Sequence, residues 1–370
     1  MANYSYDAWS SELPDDYNRI VKDFGLDLVN DKTFENPNRL MRRGITFAGR
    51  GLKELTSGLK EKKQIYSLTG IMPSADRIHF GNKMTIENIA YFQKEHNAVT
   101  FLLIADLESL ATRKVSLEVA RKRALEFHIP AYLALGLDSK KTFFYFQSEN
   151  TDVLKIAVEA AQKMTLNEFR SAYGTAEPSR IVASITQIGD MLFPQLKKPC
   201  LGVIPVGIDQ EPHIRLCRDF QKKDSNYKHF TPITSIYHKF TPSLDGEIKM
   251  SKSKPGSCIE IPEDIKVVCK KINNAFSGGK QTVEEQRKLG AVIEKDMPFM
   301  LLEHHLIESD SELKKIRDDY ASGKMLSGEV KQLACEKMTE FMEKFNERLE
   351  KARDKVKDLK YVKNIKEVDF

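Results

Sequence analysis

Two short runs of this chain carry the residue types needed to hold and polarise a triphosphate. The first begins Thr69-Gly70-Ile71-Met72-Pro73-Ser74 and continues through Asp76 and Arg77 to His79-Phe80-Gly81-Asn82, between a stretch that reads as a strand and one that reads as a helix. Gly70 permits a tight turn and Gly81 lets backbone approach a ligand. The helix amino terminus beyond them presents unpaired N–H groups at the positive end of its dipole. Such a corner suits phosphates, and His79 could donate to phosphoryl oxygens as their charge rises. A His-x-Gly turn by itself is more simply a strand-to-helix turn with a capping histidine. The second run, Lys249-Met250-Ser251-Lys252-Ser253, is flanked by Asp245-Gly246 and Pro255-Gly256. Lysines and hydroxyls on a loop bounded by glycines make a cationic arm able to close over phosphates. In isolation it reads equally well as a solvated basic loop.

The elements around these runs alternate in kind. A strand at 65–68, a helix over 82–95, an apolar strand at 99–104, a helix near 116–127 and a strand at 142–146 follow one another. Helical patterns then run from about 152 to 191, and a strand at 200–206 leads into a helix over 211–220. The 99–104 run is apolar on both faces, as a central parallel strand should be. Strands and helices alternating at these lengths predict an α/β fold, a Rossmann-type doubly wound parallel sheet whose ligands bind at the carboxyl ends of the strands. Residues 1–63 read as an amino-terminal extension packed on the main domain, 64–256 as the catalytic domain, and 257–370 as an all-helical carboxy-terminal domain whose last segment packs back on the catalytic one. Within the last part, Val330, Leu333, Ala334, Met338, Phe341, Met342, Phe345 and Leu349 keep the three-and-four spacing of one helix face, most simply packing core.

Composition narrows the classes. With 41% hydrophobic and 30% charged residues the chain can bury a real core, and no apolar run reaches the length a membrane span needs. The first residues are polar and acidic where a secretory leader would be basic and then apolar, so a cytoplasmic protein is expected. Cys200, Cys217, Cys258, Cys269 and Cys335 lie far apart without zinc-ligand spacing, which predicts free thiols and no resident metal. A net charge of +5 permits a polyanionic partner without requiring one.

Taken together and in this order, the His-x-Gly corner and the Lys-Met-Ser-Lys-Ser arm resemble the paired signatures of class I aminoacyl-tRNA synthetases. That family's first signature usually ends in a second histidine where this chain has Asn82. The run Ile204-Pro205-Val206-Gly207-Ile208-Asp209-Gln210-Glu211-Pro212-His213 resembles tryptophanyl-tRNA synthetases of the archaeal and eukaryotic type. So do Met41-Arg42-Arg43-Gly44-Ile45, Asn274-Ala275-Phe276-Ser277-Gly278-Gly279 and Ile316-Arg317-Asp318-Asp319-Tyr320. The resemblance implies activation of L-tryptophan with ATP as substrate, Mg²⁺ bound through the ATP phosphates, transfer to tRNA(Trp), and a homodimer. It further implies that residues from about 257 to 345 bind the anticodon stem and loop.

Carried over position by position, the likeness makes His79, Lys249 and Lys252 the catalytic groups. ATP would be lined by Gly70, Pro73, Ser74, His79, Gly81, Asn82, Gly207, Asp209, Lys249, Met250, Ser251, Lys252 and Ser253. Tryptophan would be held by Leu68, Leu103, Glu108, Gln187, Asp190 and Gln210, with Glu108 on the α-ammonium group. Eukaryotic relatives place a tyrosine and a glutamine against the indole N–H where this chain has Leu68 and Leu103, and neither leucine can accept a proton. Asp190, one helical turn beyond Gln187, stands where bacterial tryptophan enzymes and tyrosine enzymes carry an aspartate, so it is expected to accept the indole N–H; the bland reading is an ordinary helix carboxylate. The nearest alternative is a tyrosine-specific enzyme on the same fold, supported by Asp190 and opposed by Leu68. A small-metabolite nucleotidyltransferase and a non-catalytic RNA-binding paralogue are more distant ones.

Overall fold

The computed structural model describes residues 16–250, 254 and 256–370. The chain divides into two compact units, each discontinuous in sequence. One comprises residues 1–76, 85–239 and 352–370, and the other 77–84 and 240–351.

The larger unit is built on a seven-stranded sheet. In chain order its strands are β1 (Asp27–Leu28), β2 (Thr46–Arg50) and β3 (Ile65–Ile71); β4 (Ile78–His79) belongs to the other unit; then come β5 (Val99–Ile104), β6 (Thr142–Phe146), β7 (Leu201–Gly207) and β8 (Thr234–His238). The spatial order is β1-β2-β8-β7-β3-β5-β6. The five strands from β8 to β6 are mutually parallel. From β3 the chain first winds outward through β5 and β6, then returns to β7 and β8 on the opposite side. The reversal falls between β3 and β7, the position where a doubly wound sheet opens a crevice at its carboxyl edge. Gly70 near the end of β3 and Gly207 at the end of β7 flank it.

The parallel core follows from residue choice. Every residue of β6 is buried and β5 is buried from Thr100 to Ile104, as expected of apolar strands covered on both faces. The helix Pro178–Leu192 covers one face. It packs on the helix Thr151–Lys163 so closely that a Cβ at Gly189 would lie 2.4 Å from the carbonyl oxygen of Val153. Glycine is therefore required beside Asp190.

The amino-terminal extension joins the sheet directly. β2 runs antiparallel to β8, and Val29, Phe34 and Met41 share a core cluster with Ile65, Phe92, Leu201 and Ile236. The strands β1, β2 and β8 were not expected. Thr46-Phe47-Ala48-Gly49-Arg50 and Thr234-Ser235-Ile236-Tyr237-His238 mix polar and apolar residues without a clean period, although all five residues of β8 are buried. At the opposite edge, Phe144 of β6 donates its N–H to Lys360 and accepts from Val362, so the last segment of the chain packs back on the sheet.

The smaller unit carries β4, β9 (Glu260–Ile261) and a set of helices. The helix Ser327–Arg353 buries Val330, Ala334, Met338, Met342, Phe345 and Leu349 as its spacing requires. Asp296 ties together two of the segments singled out in the sequence. Ser277 Oγ, Gly278 N and Tyr320 Oη all donate to its Oδ2, at 2.9, 3.1 and 2.6 Å. All five cysteines are free, and among the described residues no helix is long and apolar enough to cross a membrane.

Candidate active site

In the smaller unit the corner is a compact knot of side-chain-to-backbone bonds. Gly81 donates its N–H to His79 Nδ1 at 3.0 Å, and His79 donates its N–H to Asn82 Oδ1 at 3.2 Å. Because Nδ1 accepts, the neutral imidazole carries its proton on Nε2 and can act as a donor there. A Cβ on Gly81 would sit 2.8 Å from the imidazole Cε1, so glycine is what lets the ring lie over its own turn. Asn82 spends its carbonyl oxygen locally, and only its amide nitrogen can donate elsewhere.

The same unit brings Met250, at the start of the lysine arm, beside the strand that pairs with this corner. β4 pairs antiparallel with β9, opposing His79 to Glu260 and Ile78 to Ile261. Immediately before β9, Ile259 donates its N–H to the sulfur of Met250 at 3.4 Å, while Met250 donates its own N–H to Thr241 at 2.8 Å. Met250 is therefore an anchor, with only 4% of its surface exposed. Lys249 beside it is half-buried, with its ammonium 4.8 Å from the centre of the Phe240 ring. Ser251, Lys252 and Ser253 lie outside the described residues.

In the larger unit the loop after β3 is clamped by an arginine that the sequence did not single out. Arg123 donates to the carbonyl of Ser74 at 3.0 Å and pairs with Asp76 at 2.6 Å. Pro73 and Ser74 are thereby fixed beyond Gly70. Across the reversal point, Gly207 leads into a short 3₁₀ turn bearing Asp209 and Gln210, both half-exposed. The following helix, Glu211–Lys223, starts on a buried Glu211 that is paired with Arg50 of β2.

One face of the sheet collects the remaining candidates. Leu68 pairs in register with Phe101, and Gly70 with Leu103, which pairs in turn with Tyr145. Residues paired in a parallel ladder, and those two apart along a strand, point to one face. Leu68, Leu103 and Tyr145 thus lie together, with Leu68 and Leu103 both buried. Asp190 is buried above them on the helix Pro178–Leu192. It accepts from Tyr145 Oη at 3.0 Å and from Gln147 Nε2 at 2.6 Å. Burial pushes the Asp190 carboxyl up to about 7, and the charges of Glu108 and Asp106 add to the rise, against the two hydrogen bonds. One turn earlier on the same helix, Gln187 donates to Glu108 Oε2 at 3.0 Å. Burial raises the Glu108 carboxyl too, with Gln187 and Arg113 opposing. A carboxylate so placed gains by meeting an ammonium group.

The larger unit therefore gathers Leu68, Gly70, Leu103, Pro73, Ser74, Glu108, Gln187, Asp190, Gly207, Asp209 and Gln210, and the smaller one gathers His79, Gly81, Asn82, Lys249 and Met250. The sequence missed Arg123, Tyr145 and Gln147. Alternation along β6 could have put Tyr145 on the Leu103 face. Nothing local marks Gln147, whose partner lies 43 positions away.

The family model for class I tRNA synthetases (W and Y) matches residues 60–343. The chain belongs to that family. Within it, the chain is 37% identical to a tryptophan–tRNA ligase of Hyperthermus butylicus, covering 98% of this chain and 99% of the relative. A tryptophan–tRNA ligase of Methanocaldococcus jannaschii is 35% identical, with 94% and 95% covered. The crystal structure of tryptophanyl-tRNA synthetase from the hyperthermophilic archaeon Aeropyrum pernix K1 superposes with a TM-score of 0.87 at 36% identity, covering 96% of this chain and 99% of that one.

Proposed function

We propose that this chain activates L-tryptophan with ATP, giving tryptophanyl-adenylate and pyrophosphate, and then transfers the tryptophan to tRNA(Trp) with release of AMP. The observation that carries the reading is the near full-length kinship to tryptophan–tRNA ligases, which also disfavours the tyrosine-specific alternative. The buried Glu108–Gln187 pair supports it at one end of the amino acid and the Asp190 cluster at the other.

ATP enters as substrate with Mg²⁺ on its phosphates. The tryptophan carboxylate attacks the α-phosphorus, a new P–O bond forms, the bond from the α-phosphorus to the oxygen bridging to the β-phosphate breaks, and pyrophosphate leaves with that electron pair. No protein nucleophile is required, so positioning and charge neutralisation carry the chemistry. His79, through its Nε2 proton, and Lys249 and Lys252, through their ammonium groups, stabilise the negative charge that develops on the α-phosphate and the leaving pyrophosphate. By family likeness Gly70, Pro73, Ser74, Gly81, Asn82, Gly207 and Asp209 are ATP-binding residues, with Asp209 accepting from ribose hydroxyls. Met250, Ser251 and Ser253 complete the arm. Glu108 takes the α-ammonium group, with Gln187 and Gln210 beside it. Leu68 and Leu103 supply an aliphatic wall, and Asp190 governs the indole end. In the second step a terminal ribose hydroxyl of the tRNA attacks the acyl carbon and AMP departs.

By family likeness the helical residues from about 257 to 345 bind the anticodon stem and loop, and the enzyme works as a homodimer in the cytoplasm. The decisive experiment is amino-acid-dependent exchange of labelled pyrophosphate into ATP, run with tryptophan, tyrosine and phenylalanine in parallel. Exchange with tryptophan alone is expected. Exchange driven by tyrosine in its place would overturn the proposal.

A further inference from the structure

The side chain of Gln147 is fully buried, yet only one end of its carboxamide is satisfied. Nε2 donates to Asp190 Oδ2 at 2.6 Å, while Oε1 is buried with no hydrogen-bond partner. A carboxamide is planar, with a donor end and an acceptor end, so clamping the nitrogen fixes where the oxygen lies. Above about pH 7, where Asp190 is ionised and both its oxygens are acceptors, only the nitrogen can face them, and that fixes the two ends of the amide. Asp190 is itself held on its other oxygen by Tyr145 Oη at 3.0 Å. Tyr145, Gln147 and Asp190 therefore form a braced unit on the Leu68–Leu103 face of the sheet, whose one unsatisfied polar atom is an acceptor.

A buried acceptor without a donor weakens a fold, and such an atom is completed by an ordered water or by a ligand. Gln147 Oε1 is one of several among the described residues and stands out because it lies with Asp190 on the Leu68–Leu103 face. The aromatic side chains that this family distinguishes differ in what they bring. Indole brings one N–H donor and no acceptor. A phenol brings a donor and an acceptor together, and a phenyl ring brings neither. Leu68 and Leu103 have nothing polar to offer any of them. Tyr145 Oη gives its one hydrogen to Asp190 and Gln147 Nε2 gives one of its two, so a phenol oxygen finds at most one donor among these three residues.

The geometry points to Gln147 Oε1 as the atom that accepts the indole N–H of tryptophan, with Asp190 and Tyr145 as positioning residues that hold the carboxamide in place. This rests on the reading of the chain as tryptophan-activating, and it replaces direct acceptance by Asp190 with acceptance through an oriented amide. It also accounts for a leucine at each of the two positions, 68 and 103, that serve the indole in eukaryotic relatives. The acceptor has moved to the end of the neighbouring strand, β6.

The test uses 3-benzothienyl-alanine, in which sulfur replaces the indole N–H at nearly unchanged shape. In pyrophosphate exchange the wild-type enzyme should prefer tryptophan over this analogue by about 10²-fold in kcat/KM, because a site built around a donor rejects the ligand that lacks it. Gln147→Leu should lower that preference about tenfold or more, because the loss falls on tryptophan and much less on the analogue, which makes no bond to Oε1. A merely structural role would weaken both substrates alike and preserve the ratio, which would overturn the proposal. Retention of the ratio in Gln147→Leu together with its loss in Asp190→Asn would return the indole hydrogen to the carboxylate. Should Gln147→Leu fail to fold, the wild-type enzyme decides the matter by NMR. With ¹⁵N-indole tryptophan bound, coupling across the hydrogen bond should reach a glutamine carboxamide carbon, and coupling to an aspartate carboxyl carbon would refute the assignment. Absence of any tryptophan-dependent exchange in the wild-type enzyme would instead sink the functional reading beneath it.

Discussion

The Asp190 cluster and the His79 corner are assembled by opposite means. Asp190 takes its hydrogen bonds from residues 45 and 43 positions away, on a strand and on the turn beyond it. His79 takes and gives its bonds within three positions, to backbone and side chain of its own turn. The first exists only once the helix Pro178–Leu192 has settled beside the sheet and against the helix Thr151–Lys163, which Gly189 lets come close. The second closes these side-chain bonds within its own turn, although its strand β4 is held by β9 from far along the chain, and it stays half-buried. Electrostatically they differ as well. Burial drives the Asp190 and Glu108 carboxyls toward their neutral forms, whereas the corner and its arm present a donor and cations. The contrast suits a division of labour in which reading a side chain needs a dry, rigid wall and neutralising phosphates needs donors at an open edge.

Variants can break that division at either side. The largest effect is expected at the corner. His79→Ala should lower kcat for exchange by roughly 10²–10³ while leaving tryptophan binding nearly intact, if its donor acts as proposed on charge that develops in the transition state. Equal losses in kcat and in tryptophan affinity would show that the corner also serves binding. On the other side, Asp190→Ala strands the Tyr145 hydroxyl and the Gln147 amide, so the KM for tryptophan should rise by about 10–10² and the preference over phenylalanine should fall. Unchanged kinetics would remove Asp190 from the site. A milder probe is Gly81→Ala. Its Cβ would press on the imidazole 2.8 Å away, and the ring can yield only by leaving its bond to the Gly81 N–H. A drop in kcat of about tenfold, at constant KM for tryptophan and constant thermal midpoint, is expected.

How far each region could be read from sequence follows from the same contrast. The corner and the arm were legible because their chemistry is carried by neighbours in the chain, with glycines marking where backbone must come close. The central strands Ile65–Ile71, Val99–Ile104, Thr142–Phe146 and Leu201–Gly207 were legible because strands buried on both faces must be apolar throughout. β2 and β8 were not. Thr46, Thr234 and His238 find partners distant in sequence, as when Thr46 and Asn88 hydrogen-bond across 42 positions. Asp190 was legible as a residue through family likeness, but its surroundings were not. Tyr145, Gln147 and Arg123 acquire meaning only from which elements the fold lays beside them, and no periodicity in the chain encodes that.

The smallest effect is also the one that tests the physical basis of the comparison. Burial raises the Asp190 carboxyl from 3.8 to about 7, so between those values the folded protein holds a proton that the unfolded chain has lost. Unfolding free energy must then fall as pH rises through this window, by on the order of 1.4 kcal/mol per pH unit for this group alone, and level off above pH 7. Asp190→Asn has no proton to lose there. Its stability relative to wild type should therefore increase between about pH 4 and about pH 7 and be flat above, read from urea unfolding at each pH. His213 pulls in the other direction. Its burial lowers the imidazole to about 4, so the folded protein loses stability as pH falls below 6.5. Both proteins carry His213, however, and its contribution cancels in the difference. A difference between variant and wild type that stays constant with pH would mean that Asp190 is solvated in the folded protein, and the wall around the indole would then be wet.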